Sequence, residues 1–194
     1  MSKCTWCQSD ILSEAYHDEE WGIPLHDDRK HFEYLLMEVM QCGLSWNLML
    51  KKRETFRMCF DDFDYDKIAL YDEQKIRSIM LTENMIKSER KIRAIINNAI
   101  QYRKIIDEFG TFDEFLWAYS KHKTIVYQSH QKQHVASNEL SDLVSKELKQ
   151  RGFKYLGSIT VYSHLQACGI INDHEKKCFQ YQYIMENYPV EIQE

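Results

Sequence analysis

The chain has 194 residues, a length suited to one compact domain rather than two large independent ones. Its 25 Lys and Arg against 30 Asp and Glu leave a net charge of −5, which does not announce a nucleic-acid binder. A hydrophobic fraction of 44% with 13% aromatics excludes disorder as the main state. No apolar run approaches the roughly 18 residues of a membrane span. The start, Met1-Ser2-Lys3-Cys4-Thr5-Trp6-Cys7, lacks the apolar stretch of a secretory signal, so the cytoplasm is the expected compartment and no membrane partner is expected.

Two prolines and six glycines favour long helices over many short strands. In chain order, Asp27 or Asp28 can cap a helix reaching about Gln41, with Phe32, Leu35, Leu36 and Val39 on one stripe and Gly43 as its stop. Ser45 can cap the next, through Met49, Phe56 and Phe60. A third begins near Ser88 and aligns Ile92, Ile95, Ile96, Ala99 and Ile106 before Gly110. Ser137 opens another, with Leu140, Leu143, Val144 and Leu148 inward and Gly152 beyond. Residues 153–169 are ambiguous, because Ile159-Thr160-Val161-Tyr162 would pass for a strand on β-branching alone. The balance predicts an all-α fold without internal repeats.

Charge is distributed in blocks. Residues 61–73 hold six acids and one base, which accounts for the whole net charge of −5. Three basic windows stand against it: Lys51-Lys52-Arg53 with Arg57; Lys87, Arg90, Lys91 and Arg93; and Lys146, Lys149, Arg151 and Lys154. Each taken alone reads as a solvated helix face. Only convergence on one face would make a phosphate-binding surface.

Six cysteines (Cys4, Cys7, Cys42, Cys59, Cys168 and Cys178) are too unevenly spaced to suggest a disulfide framework. His174 and Cys178 are four apart, which on a helix would put both on one face and supply half a zinc site. Near the other end lie Cys4, Cys7 and His17. Spacing alone favours Cys4 with Cys7, and His17 is the alternative ligand. Four protein ligands joining the two ends would form a structural staple with no open position.

Several blocks, in order and spacing, resemble the bacterial 3-methyladenine DNA glycosylase type I family. They are Tyr16-His17-Asp18-Glu19-Glu20-Trp21-Gly22-Ile23-Pro24; Glu38, Gln41, Gly43-Leu44-Ser45-Trp46 and Lys51-Lys52-Arg53-Glu54; Lys91-Ile92-Arg93 with Asn97-Asn98-Ala99; and Leu148-Lys149-Gln150-Arg151-Gly152-Phe153-Lys154 with Gln166-Ala167-Cys168-Gly169 and Asn172-Asp173-His174. The resemblance spans residues 4–178. It implies a helix-hairpin-helix glycosylase fold, with residues 1–178 as one helical domain and 179–194 as a C-terminal tail. It also implies one structural zinc on Cys4, His17, His174 and Cys178, which demotes Cys7 to runner-up.

The resemblance further implies Glu38 as the polar anchor of a base pocket walled by Trp6, Tyr16, Trp21 and Trp46. By helical position alone, Glu38 lies roughly 110° from the centre of its apolar stripe, where a glutamate is normally solvated. Two positions depart from the family pattern. Asn84 replaces the usual hairpin glycine, although Asn is the residue most tolerant of positive φ after glycine. Ser13 stands where some members carry an extra pocket tyrosine, which bears on substrate breadth.

The implied substrate is alkylated double-stranded DNA, with free 3-methyladenine as product. The implied enzyme is a monofunctional hydrolase, expected as a monomer with no nucleotide cofactor. Gly43 and Leu44 would fill the gap left by the flipped base; Lys51, Asn84, Lys87, Arg90 and Lys91 would meet the phosphates. N3-methylation makes adenine a cation whose departure leaves a neutral base, so no acid is needed to protonate it. Aromatic faces and a buried carboxylate suit that cation. Two rivals are a broader alkylpurine glycosylase and a zinc-stabilised DNA-binding module without catalysis.

Overall fold

In a computed structural model describing residues 2–132 and 135–194, a 3-10 turn at Thr5–Ser9 precedes α1 (Ile11–Glu19), α2 (Asp28–Gln41) and α3 (Trp46–Cys59). Short α4 (Tyr65–Ile68) leads to α5 (Glu73–Leu81), long α6 (Glu89–Phe109) and α7 (Phe112–Trp117). Strand β1 (Thr124–Tyr127), α8 (Glu139–Gln150), α9 (Ser158–Ala167), α10 (Phe179–Asn187) and strand β2 (Val190–Gln193) complete the order.

Asp27 opens the helix around which the rest assembles: its carboxylate accepts the Lys30 amide at 2.7 Å, a side-chain N-cap. Every residue of α2 from 31 to 40 is buried, because α3, α6, α7 and α9 cover it from all sides. A helix enclosed in this way has no solvent face. This overturns the expectation that Glu38, off the apolar stripe, meets water. Phe32 packs on Tyr102 of α6 with ring centroids 5.1 Å apart, and Tyr102 stacks on Phe112 at 4.2 Å.

The expected start of α3 at Ser45 and stop of α6 at Gly110 are observed, the serine side chain accepting the Leu48 amide. Helix α8 is capped by Asn138, one residue beyond Ser137, in a reciprocal capping box with Ser141. Leu143, expected inward, is 54% exposed. Ser141 and Ser145 occupy the buried face instead, bonding Ser158 Oγ at 2.9 Å and the Leu156 carbonyl at 2.8 Å. Their small side chains bring α8 close against α9.

Within the ambiguous 153–169 segment, α9 forms over Ser158–Ala167 with Val161 and Tyr162 buried, and residues 153–157 are a non-helical connection. The strands lie elsewhere, and the all-α expectation needs that correction. β1 (Thr-Ile-Val-Tyr, mostly β-branched) pairs in parallel with β2, Thr124 opposite Val190 through Tyr127 opposite Gln193. Residues beyond 178 are thereby packed: Ile184 is buried, and the Phe179 amide donates to the Ser2 carbonyl at 2.9 Å.

Between α5 and α6, residues 82–88 form a tight connection in which Asn84 holds φ +61°, the left-handed conformation that the family resemblance implied for this position. Lys52 of α3 donates its ammonium to the Asn84 carbonyl, fixing this turn against the preceding helix.

Candidate active site and metal cluster

The N-terminal turn, α1, α2 and the start of α3 form one wall of a cavity of about 360 Å³, and α9 with the following loop forms the other. Trp6, Tyr16, Trp21, Glu38 and Trp46, all five residues expected from the sequence, line it. Tyr16 and Trp46 form a tilted pair with ring centroids 5.4 Å apart, and Trp6 meets Trp21 edge-on at 5.0 Å. The Tyr16 hydroxyl and the Trp46 indole N–H are buried with no partner among the described residues. Two such donors represent unspent polar capacity, since buried groups of this kind are nearly always bonded.

Glu38 is 3% exposed, and no donor among the described residues bonds its carboxylate. Burial alone pushes its pKa up to about 8. Nearby Glu20 shows the opposite balance. Burial would raise its pKa, but hydrogen bonds and charge from Arg53 and Lys30 hold it at about 2. The Arg53 guanidinium forks onto both Glu20 oxygens at 2.6 Å and gives its Nε to Glu33 at 2.5 Å. Tyr34 donates to Glu20 at 2.9 Å and meets the Tyr16 ring edge-on, so this ionic knot supports one pocket wall from behind.

The opposite wall contains residues for which the sequence suggested no role. Asp173 has three partners: Gln166 donates to Oδ2 at 2.8 Å, the Tyr162 hydroxyl bonds the same oxygen, and His130 Nδ1 lies 3.0 Å from Oδ1. Gln166, Asp173, His130 and Ser163 all face the cavity. Gln166 and Asp173 sat within recognisable sequence blocks, whereas His130 comes from a connection with no pattern to flag it. Ser13 does not line the cavity. Its hydroxyl donates to Asp10 at 2.7 Å and accepts from Asn47 at 3.4 Å.

Cys4, His17, His174 and Cys178 bring four ligand atoms within 4.8 Å of one another, all buried. Cys4 Sγ lies 3.4 Å from His174 Nδ1; Cys178 Sγ lies 3.4 Å from His17 Nε2 and 3.7 Å from His174 Nδ1. Zinc–sulfur and zinc–nitrogen bonds of about 2.3 and 2.0 Å at tetrahedral angles give a sulfur–nitrogen edge of about 3.5 Å, so the set fits the metal. The outer ring nitrogens are held as ligating histidines require: His17 Nδ1 by Asp18 at 2.8 Å and His174 Nε2 by the Trp21 carbonyl at 3.0 Å. Cys7 is buried beside the cluster with its thiol turned to the Cys4 carbonyl at 3.1 Å.

One expectation fails in detail. Residues 174–178 are not helical, and a turn rather than a helix face brings His174 and Cys178 together. Gly22 permits the close approach, because a Cβ there would stand 2.5 Å from His174 Nε2.

Gly43 and Leu44 form an exposed turn after α2. Lys91 donates to the Met40 and Cys42 carbonyls, both at 2.7 Å, closing that helix end. Its ammonium is therefore committed within the protein rather than presented outward as expected. Lys51, Asn84, Lys87 and Arg90 are exposed, and Arg90 lies over the Tyr155 ring. The Lys52–Asn84 and Lys91–Cys42 bonds bring the first two basic windows and the Gly43–Leu44 turn to one side. Much of the windows' nominal charge is nevertheless spent internally. Arg53 serves Glu20 and Glu33, Arg57 pairs with Asp62, Arg93 with Glu73, and Arg151 with Glu108.

The methyladenine glycosylase family profile matches residues 6–181. The chain belongs to that family. It is 41% identical to DNA-3-methyladenine glycosylase 1 of Escherichia coli K12, over 93% of this chain and 97% of that protein. The DNA-3-methyladenine glycosylase of Haemophilus influenzae is 36% identical over 91% and 96% of the two chains. The 3-methyladenine DNA glycosylase I of Staphylococcus aureus, solved to show how it recognises 3-methyladenine, superposes with a TM-score of 0.86 at 36% identity, covering 92% of this chain and 96% of that one. Among the described residues no helix is long and apolar enough to cross a membrane.

Proposed function

We propose that this methyladenine glycosylase hydrolyses the N-glycosidic bond of 3-methyladenine in alkylated double-stranded DNA and releases the free base. The observation that carries the reading is the partnerless, buried Glu38 carboxylate in a cavity walled by Tyr16, Trp46, Trp6 and Trp21. A neutral purine gives that carboxylate little reason to ionise, whereas a flat cation supplies both countercharge and amine hydrogens. The damaged nucleotide leaves the stack more cheaply than an intact one and enters between the aromatic faces. Tyr16 and Trp46 each bring a free donor.

In the transition state, positive charge moves from the base toward the deoxyribose, so Glu38 accounts for selection of the base more than for rate. Orientation of the flipped nucleotide and placement of the attacking water supply the rate. The Gly43–Leu44 turn fills the vacated stack, and the 82–88 connection, as a helix-hairpin-helix element, joins Lys51, Lys87 and Arg90 at the phosphates. Lys91 supports the turn from within. One zinc on Cys4, His17, His174 and Cys178 closes the two ends of the domain; its four protein ligands leave no position for chemistry. The enzyme works as a cytoplasmic monomer.

The test is incubation with duplex DNA methylated at N3 and N7 of purines, followed by chromatography of the released bases. Release of 3-methyladenine alone is expected. Release of 7-methylguanine as well would replace this reading with a broad alkylpurine glycosylase, and salt-sensitive DNA binding without release would leave a binding module.

A further inference from the structure

A second constellation lies behind the pocket, with no part in base recognition. His31 of α2, His164 of α9 and Cys168 at the C-cap of α9 are 0%, 1% and 0% exposed, and their ligand atoms fall within 4.8 Å of one another. His31 Nδ1 stands 3.2 Å from Cys168 Sγ, and His164 Nε2 stands 3.5 Å from the same sulfur. These two separations lie just below and at the tetrahedral zinc edge of about 3.5 Å, and His164 Nδ1 stands 3.9 Å from the same sulfur.

The outer atoms agree. The Nε2 of His31 meets Asp113 Oδ1 at 3.0 Å, which assigns its proton to Nε2 and leaves the Nδ1 lone pair facing the thiol. His164 and Cys168 are four apart at the end of one helix, so both project toward α2.

The geometry points to a second metal site, with His31 Nδ1, His164 Nε2 and Cys168 Sγ holding a divalent cation of the zinc class. Borderline nitrogen and soft sulfur donors exclude magnesium and calcium, which take oxygen. Charge decides between a monovalent and a divalent d10 ion. Binding displaces the Cys168 proton to solvent, and the resulting thiolate together with the Asp113 carboxylate balances a 2+ ion. With a 1+ ion the enclosed group would be left net negative, which burial penalises.

This ion would pin α2 to α9. The first helix carries Glu38 two turns beyond His31, and the second carries Ser163 and Gln166 of the facing wall. Where the Cys4 cluster ties the chain ends, this one would fix the spacing of the pocket walls.

The test uses full-length protein expressed in zinc-supplemented medium, with metal per chain measured by mass spectrometry. Two zinc ions are expected in the unaltered chain and one in His164→Phe, a substitution that keeps the site filled, with circular dichroism confirming the fold. The Cys178→Ser variant, which addresses the other cluster, separates the two: if only that cluster is empty, the count starts at one and Cys178→Ser leaves it there. Metal content unchanged in His164→Phe overturns the proposal. Anomalous diffraction at the zinc edge decides without a variant. A peak within bonding distance of His31 Nδ1, His164 Nε2 and Cys168 Sγ is expected, and no peak there overturns the second site.

Discussion

The ammonium of Lys91 caps α2 at the carbonyl of Cys42, 2.7 Å away and two residues before Leu44. A lysine in a basic window thus serves the backbone of the turn proposed to meet DNA. Lys91→Met should lower stability by about 1.5–3 kcal/mol in urea denaturation, the scale of a lost charged hydrogen bond. It should slow base release while barely changing the salt dependence of DNA affinity. Lys87→Ala should do the reverse, reducing the slope of log affinity against log salt by about one. Anisotropy titrations at several salt concentrations distinguish them; a slope change of about one for Lys91→Met would place that ammonium at a phosphate.

Arg53 looks like a DNA contact in the sequence and is the centre of an ionic knot in the structure. Removing one member of a buried pair typically costs about 3–5 kcal/mol, so Arg53→Leu should lower the melting temperature sharply. Because the pKa of Glu20 is held at about 2, below its ordinary 4.5, its contribution is complete above pH 4.5 and is lost as pH falls toward 2. The stability gap between Arg53→Leu and the parent should therefore narrow in acid. Melting curves at pH 3 and pH 7 check this, and an equal gap at both would show that Glu20 is not the relevant partner.

Glu38 has the opposite sign. With its folded pKa pushed up from 4.5 to about 8, stability intact below pH 4.5 is progressively lost as pH rises to 8. The cost at pH 7 is about 3 kcal/mol by linkage. Glu38→Gln should remove that loss, making the variant increasingly more stable than the parent between pH 5 and 8 while impairing release of the cationic base. A stability difference independent of pH would argue that Glu38 is already ionised in the free protein.

For the Cys4 cluster, Cys178→Ser should lose a metal ion and much of the thermal stability, whereas Cys7→Ser should keep the ion, because the Cys7 thiol faces the Cys4 carbonyl at 3.1 Å. Metal analysis alongside thermal unfolding would reveal the converse if Cys7 were the ligand.

Local rules carried far in this sequence. Asp27, Ser45 and Gly110 mark helix ends because capping chemistry is decided by a few neighbouring atoms. Asn84 could be placed at positive φ only through the family resemblance, which puts a glycine there. What periodicity could not deliver was long-range enclosure. Glu38 looked solvated because a stripe argument assumes one wet face, and α2 has none between residues 31 and 40. The strand pair joins segments more than sixty residues apart, Thr124 to Val190, and neither signals its partner. His130 reached the pocket only because Asp173 and Tyr162 hold its ring there.

The Cys4 cluster also has an optical consequence. The Trp6 indole centroid lies 5.6 Å from the His17 ring, and that of Trp21 lies 4.6 Å from His174. An open-shell ion such as cobalt(II) seated on those imidazoles would quench the emission of both. The same two indoles wall the cavity, so their fluorescence would respond to metal loading and to an incoming base alike, without any attached label.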